Sequence, residues 1–395
     1  MDRPVTRTIA VVTGSRAEYG LLSGVMAKIA AAPDLRLQVL VTGMHLSPEF
    51  GLTFAEIEQD GFTIDRRVET LLSADTGSAI AKSMGLGLIG FGEALAQLRP
   101  DMLLVLGDRF EILAAVSAAL VAGIPVAHLH GGELTEGACD DAIRHAITKM
   151  SHLHFVAAAP YRDRVIQLGE SPDRVFTVGG LGVDRLQSVT LLDRAALETS
   201  LDFRFGARTL LVTFHPATLE SASALSQLDE LLSALEAFPD VHLLFTMPNA
   251  DADGRALFAR ITAFVQTRPN ARAFVSLGHH RYLSCLAQVD GVVGNSSSGL
   301  AEVPSFQKGT VNIGERQTGR LKAASVIDCQ PDRVSIQAAI TRLYSPVFQS
   351  SLPGVTNPYG SGGASAAIVD CLRTVPLVGL VKKVFYDMPQ PGAWP

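Results

Sequence analysis

Short apolar runs alternate along the chain with stretches whose apolar positions recur at helical spacing. In the first half, runs at 8–13, 35–41, 102–106, 125–129, 154–156 and 175–178 read as buried strands, with Ile64 in a further short one. Stretches 21–32, 54–60, 78–98, 140–150 and 161–168 read as helices, and Pro100 marks the end of the third. A Gly-rich stretch at 179–186 reads as a linker. The alternation then resumes with strands at 210–214, 241–246, 273–277, 291–294 and 310–313. Helices at 223–238, 256–267 and 282–288, and a last one from about Ala364, accompany them. Beyond Pro376 the pattern predicts no element. Strands that alternate with helices of this length imply βαβ units and parallel sheets. The expected architecture is α/β: two Rossmann-like, doubly wound domains at 1–183 and 184–372, facing one another across a cleft, and a tail at 373–395.

Composition agrees with this picture. The 395 residues exceed one comfortable core, and 47% hydrophobic with 18% charged residues suits a well-buried globular chain. A net charge of −6 without a Lys/Arg block argues against a nucleic-acid groove, while single arginines can still hold a small anion. Cys139, Cys285, Cys329 and Cys371 are scattered without a CxxC pair, which argues for a reducing compartment and against a zinc site. No signal-peptide pattern opens the chain, and no apolar run is expected to reach the roughly 20 residues of a membrane helix. A cytoplasmic protein is therefore expected. Gly85, Gly87 and Gly90 form a GxGxxG string, but inside an amphipathic stretch rather than between strand and helix, so no nicotinamide cofactor is expected. The pairs His128/His130 and His152/His154 share strand faces, and no metal is expected there.

Charge collects where two predicted strands end. Asp108, Arg109 and Glu111 follow the run at 102–106, and His128, His130, Glu133, Asp140, Asp141, Arg144 and His145 crowd the run at 125–129 and the loop and helix after it. In open α/β sheets, ligands lie outside the carboxyl ends of the strands. Asp108, Glu133 and Asp140 gathered at one site would raise each other's proton affinity, which suits general acid/base work. Either Asp140 or Asp141 serves equally well as a simple helix cap. In the second half, Asn295 is followed by Ser296, Ser297, Ser298 and Gly299 between a strand and a helix, so amides and hydroxyls can face a phosphate. Arg16, Arg316 and Arg320 supply complementary charge, and Glu302, one helical turn on, could accept a ribose diol. Together these features suggest a nucleoside diphosphate held mainly by the second domain.

At this point the chain resembles a known family. TGSRAEYGLL, LGDRFE, HLHGGELTEGACDDAIRHAITKMSHLHF, HPAT, NSSSGLAEVPSFQKGTVNIGERQTGR and NPYGSGGAS occur in the order and spacing of the hydrolysing UDP-N-acetylglucosamine 2-epimerases, over residues 8–372. The resemblance implies a glycosyltransferase-B-like fold whose final helix crosses back to the first domain, no cofactor, and a homo-oligomer, dimer or tetramer. It implies removal of the C2 proton with loss of UDP, then addition of water with inversion at C2. It also implies roles: Asp108 and Asp140 as catalytic carboxylates, Arg144 as a neighbouring arginine, and His215 beside the leaving diphosphate. Arg16 matches the phosphate-side arginine, Ser297 and Ser298 the phosphate turn, and Glu302 the ribose glutamate. Several relatives have glutamate where this chain has His130, so the acid/base role of that loop falls to Glu133 or to His130. A neighbouring branch acts on UDP-2,4-diacetamido-2,4,6-trideoxyglucose, and the same loop fits it. Three other readings share these loops: a non-hydrolysing 2-epimerase, a glycosyltransferase of the same fold, and a non-enzymatic nucleotide-sugar sensor. The carboxylate cluster disfavours the last.

Overall fold

Adjacent residues of the first strand, β1 (Arg7–Thr13), enter two different cores: Ile9 and Val11 one, Ala10 and Val12 the other. This is the two-residue period of a strand covered on both faces, and it explains why the runs look continuous rather than alternating. The computed structural model describes residues 6–72, 76–135, 139–215, 224–247 and 254–389. β1 is followed by β2 (Leu35–Thr42), β3 (Arg66–Val68), β4 (Met102–Leu106), β5 (Val126–Leu129), β6 (Leu153–Val156) and β7 (Val175–Thr177). They form a parallel sheet in the order β3-β2-β1-β4-β5-β6-β7. A second parallel sheet contains β8 (Thr209–Thr213), β9 (His242–Thr246), β10 (Ala271–Phe274), β11 (Gly291–Gly294), β12 (Gly309–Ile313) and β13 (Val326–Cys329), in the order β10-β9-β8-β11-β12-β13.

The chain divides into two compact units, Met1–Arg185 with Gly362–Pro395, and Leu186–Ser361. The return to the first unit begins earlier than the boundary drawn after 372, because the last helix carries its apolar face into the first core. Ile368, Val369 and Leu372 of that helix (Ala364–Thr374) are buried among Leu22, Met26 and Ile29 of the helix at Arg16–Ala31. Asp184 accepts the backbone N–H groups of Gly363 and Ser365, and Arg373 donates to Asp34 at 2.9 Å.

Several elements depart from the sequence reading. The supposed linker at 179–186 is the helix Leu181–Ser188, with Leu181 and Val183 buried. The short strand lies at Arg66–Val68, past Ile64. The helix Phe110–Val121 was hidden by its composition: buried residues lie on most of its circumference, so no polar stripe shows the period. The helices Arg194–Leu201 and Arg333–Leu343 and the strand β13 were also unanticipated. The helix Gly77–Leu98, with 22 residues, is long and apolar enough by composition to cross a membrane, which corrects the expectation that no such segment exists. Its Phe91, Ala94 and Leu95 are buried against Ile112 and Ala115 of the helix Phe110–Val121, as in a helix packed on its neighbour. Within it, a Cβ at Gly87 would lie 3.1 Å from Ala114 and one at Gly90 2.7 Å from Val68, while Gly85 faces open space.

Residues 377–389 form neither helix nor strand but are tied to the first unit. Lys383 donates to the Lys149 and Ser151 carbonyls at 2.7 Å and pairs with the buried Glu170 at 2.6 Å, while Tyr386 N–H donates to the Gly169 carbonyl. Burial works against charge on Glu170, but the hydrogen bond from His154 and the ammonium groups of Lys383 and Lys149 outweigh it and hold the carboxyl at about 2.

Two measurements check this packing. Leu372→Ala should cost roughly 2–5 kcal/mol in urea unfolding, whereas Val121→Ala, at 88% exposure, should stay within about 0.5 kcal/mol. Because the Glu170 pKa is lowered, its stabilisation is complete above the ordinary carboxyl range and is lost as pH falls towards about 2. Glu170→Gln should flatten that acid-side loss in unfolding measured against pH.

Candidate active site

In both sheets the first strand is flanked by strands that the chain reaches by winding in opposite directions. In the first unit the reversal lies between β1 and β4, in the second between β8 and β11. At such a switch point the loops leaving neighbouring strands diverge and open a crevice at the carboxyl ends. The residues after β1 and β4 include Arg16, Glu18, Asp108, Arg109 and Glu111. Those after β8 and β11 include His215, Asn295 and Ser296 to Ser298.

The first unit is organised by Arg144, on the helix Cys139–Met150. Its side chain is 5% exposed, and it forms an ion pair with Asp108 through Nη2. The same nitrogen donates to Thr135 Oγ1 at 2.8 Å, and Nη1 donates to the Glu133 carbonyl at 2.8 Å. One arginine thus joins the loop after β4, the loop after β5 and its own helix. Asp141 accepts the Thr135 N–H at 2.7 Å and lies 3.4 Å from Arg144 Nη1. It works as a loop anchor. Asp140 is half-buried at the start of the same helix and accepts no hydrogen bond among the described residues. Burial, with the Asp108 charge beside it, raises its pKa, against the pull of Arg109 and Arg144.

His130 and Glu133 are partners. His130 Nδ1 lies 2.7 Å from Glu133 Oε1, and its Nε2 faces the Leu181 N–H at 3.4 Å. Accepting from that amide leaves Nδ1 to carry the hydrogen donated to Glu133. His130 adopts a φ of +63°, sparsely populated for a residue with a side chain, where β5 ends. His128 is a core residue, bonded to the Gly107 carbonyl at 2.8 Å and to Thr148 at 3.1 Å, with burial pushing its pKa down to about 3. Arg16 is exposed at the first turn of its helix and pairs with Glu56 at 3.0 Å. Arg109 donates its Nε to the buried Glu111 at 2.7 Å, and neither residue was singled out from sequence as a site residue.

In the second unit the organiser is Asn295, fully buried, which the sequence reading placed in the phosphate motif but gave no role of its own. Its Oδ1 accepts the His215 N–H at 2.8 Å, and its Nδ2 donates to the His215 carbonyl at 2.9 Å. Its own carbonyl accepts from Arg316 at 2.9 Å and from Gln317 at 2.8 Å. The structure therefore brings His215, the serine turn and Arg316 together. The Arg320 side chain makes no hydrogen bond among the described residues. The remainder of HPAT, residues 216–218, lies outside the described residues. Ser298 is bonded to Tyr282 at 2.6 Å and to Glu302. The helix after the turn, Ser298–Ala301, has a single turn, so local amides rather than a long macrodipole face whatever binds there. The signal for Asn295 was its place directly after a buried strand, where a side chain can replace backbone pairing.

A family model described as UDP-N-acetylglucosamine 2-epimerase matches residues 27–373. The chain belongs to this family. It is 39% identical to the GDP/UDP-N,N'-diacetylbacillosamine 2-epimerase (hydrolyzing) of Campylobacter jejuni, covering 97% of this chain and 99% of that protein. Identity to a polysialic acid biosynthesis protein of Escherichia coli is 38%, over 97% and 98%. The family fold is also seen in the crystal structure of UDP-GlcNAc 2-epimerase from Neisseria meningitidis bound to UDP-GlcNAc, with a TM-score of 0.73, 18% identity and coverage of 92% and 99%. The family's fold is thus the glycosyltransferase-B-like one expected from the motifs.

Asn295→Ala would leave the His215 backbone groups without their side-chain partner. It should cost about 1–3 kcal/mol of stability in the second unit and weaken UDP binding measured by calorimetry.

Proposed function

We propose that this family member is a hydrolysing 2-epimerase of a UDP-2-acetamido sugar. The observation that carries this reading is the pairing of two unlike carboxylates in the first unit. Asp108 is held in an ion pair with the buried Arg144, while Asp140, which accepts no hydrogen bond among the described residues, has a raised pKa. A carboxylate fixed by an arginine beside one that holds a proton more readily suits a reaction that takes a proton from carbon and later returns one.

In the reaction, a carboxylate removes the C2 proton as the bond from C1 to the diphosphate oxygen breaks. The C–H electrons form the C1–C2 double bond of a 2-acetamidoglucal, and UDP leaves. Water then adds its hydroxyl at C1, and a proton reaches C2 from the opposite face. The sum is UDP-sugar plus water giving UDP plus the free 2-epimer. Asp108 and Asp140 hold and move these protons, and Arg144 keeps Asp108 in place. Glu133 serves as the further acid/base, oriented by His130, whose ring nitrogens are both engaged. In the second unit, His215, Ser296, Ser297, Ser298, Arg316 and Arg320 meet the diphosphate, and Glu302 meets the ribose; in the first, Arg16 is the candidate phosphate-side cation. The developing charge on the leaving diphosphate needs these fixed donors.

The sugar is UDP-GlcNAc or its 2,4-diacetamido-2,4,6-trideoxy analogue, and the product feeds nonulosonic acid synthesis. The Campylobacter relative, named for the diacetamido sugar, supports the second, and the Escherichia relative, named for polysialic acid biosynthesis, supports the nonulosonic acid product. The proposal extends to a cytoplasmic homo-oligomer, dimer or tetramer. Support comes from the free cysteines and from the exposed Ile80, Leu86, Leu88 and Ile89 on the helix Gly77–Leu98.

The test offers both UDP-sugars in deuterated water and follows UDP release and deuterium at C2. Free hexosamine carrying deuterium at C2, in step with UDP, is expected from one of them. A product without deuterium at C2 would sink the elimination mechanism. Asp108→Asn and Asp140→Asn should each lower kcat at least about a hundredfold. Glu133→Gln should lower it by a similar factor and His130→Ala by less; if neither falls about a hundredfold, this loop has no acid/base role.

A further inference from the structure

Beneath the crevice of the first unit lie two carboxylates that the proposed reaction does not use. Glu111 stands in the first turn of the helix Phe110–Val121 with its side chain fully buried. Its Oε1 accepts from Arg109, and its Oε2 is buried with no hydrogen-bond partner among the described residues. It fills the space that side chains at two neighbouring loops would need. A Cβ at Gly14 would lie 2.8 Å from Glu111, and one at Gly43, whose φ is +56°, would lie 2.9 Å from it. Glu18 comes from the other side of the switch point, on the helix Arg16–Ala31. Its Oε2 accepts the N–H groups of Gly14 at 2.7 Å and Ser15 at 3.1 Å, and its Oε1 is likewise buried and unpartnered.

We propose that Glu18 and Glu111 together carry one proton, and that this pair positions Arg109 and the Gly14–Ser15 turn for the reaction. The proposal rests on the function given above.

The charges decide the protonation. Glu18 faces Glu111 and Arg109, and Arg109 in turn faces Asp140. His45, on the turn packed against Glu111, is bonded to Thr13 and Thr53 and kept neutral by burial, at about 4. Two buried anions beside one guanidinium would leave uncompensated negative charge in a low-dielectric interior, which folding tolerates poorly. One proton on the pair leaves one anion against one cation. Arg109 donates to Glu111 and not to Glu18, so the proton lies on Glu18. Burial, then the Glu111 charge, pushes the Glu18 carboxyl up to about 8.

Losing that proton sets two carboxylates against each other across Gly14. The repulsion loosens the turn that presents Arg16 and the grip of Glu111 on Arg109. Since the Glu18 pKa is raised, its contribution to stability is complete below the ordinary carboxyl range and is lost as pH rises through about 8.

The experiment follows UDP release from neutral to alkaline pH for the parent chain, Glu18→Gln and Glu111→Gln. In the parent, kcat/KM should fall as pH passes about 8. Glu18→Gln can accept from Gly14 and Ser15 but cannot ionise, so this alkaline fall should vanish. Glu111→Gln loses the charge that holds Arg109, and kcat should drop roughly tenfold, the size of one charge-assisted hydrogen bond. An alkaline fall identical in Glu18→Gln and the parent, or an unchanged kcat in Glu111→Gln, overturns the proposal; a helix-capping role for Glu18 alone would leave both so. Infrared spectra of the parent supply a readout without substrate. A protonated carboxyl C=O band should persist at neutral pH and disappear on titration through about 8. Absence of that band refutes the shared proton even if UDP-sugars are hydrolysed. A band present in a chain that hydrolyses neither sugar refutes the function instead.

Discussion

A guanidinium taken out of water must have its donors met, and in the first unit that requirement falls on Arg144. Removing such a charge from solvent costs several kcal/mol unless partners replace the water. Arg144 finds them in Asp108, the Thr135 hydroxyl and the Glu133 carbonyl, contributed by two separate loops. The helix carrying Arg144 cannot shift without breaking those bonds, and neither loop can move alone. Asp140, Glu133 and His130 therefore inherit their places from one buried ion. In the second unit the buried amide of Asn295 has the same part, joining His215, the serine turn and Arg316.

Both organisers depend on the sheets beneath them. Parallel strands covered on both faces leave their carboxyl ends as the place where polar side chains can gather without burying a layer of the core. The reversals between β1 and β4 and between β8 and β11 spread neighbouring loops apart at those ends. Close approach across the first reversal leaves room for no side chain at Gly14 or Gly43, because Glu111 already occupies that volume. The C-terminal helix and the segment anchored by Lys383 complete the packing on the first unit.

Much of this was legible in the residues. The buried strands, most helices of the first half and the polar loops after β4 and β5 followed from apolar runs and their punctuation. The helix Phe110–Val121 escaped because burial over most of its circumference erases the polar face that marks helical period. The helix Leu181–Ser188 escaped because its two leading glycines look like a linker, although Leu181 and Val183 bury it. Glu18 and Glu111 were visible as residues but not as a pair. They are far apart in the chain, and each alone is an ordinary first-turn acid.

By itself the sequence determined that two parallel α/β units exist, that carboxylates and histidines gather at strand ends of the first, and that the motifs belong to a nucleotide-sugar epimerase family. Those features are local: period, punctuation and ordered motifs survive in a linear string. Tertiary structure alone decided which carboxylate is anchored by Arg144 and which has its pKa raised by burial, that His130 orients Glu133, and that Asn295 holds His215. It also placed Glu18 against Glu111. Proton affinities and hydrogen-bond partners depend on distance and burial, and parallel strands acquire neighbours only after long crossovers have closed.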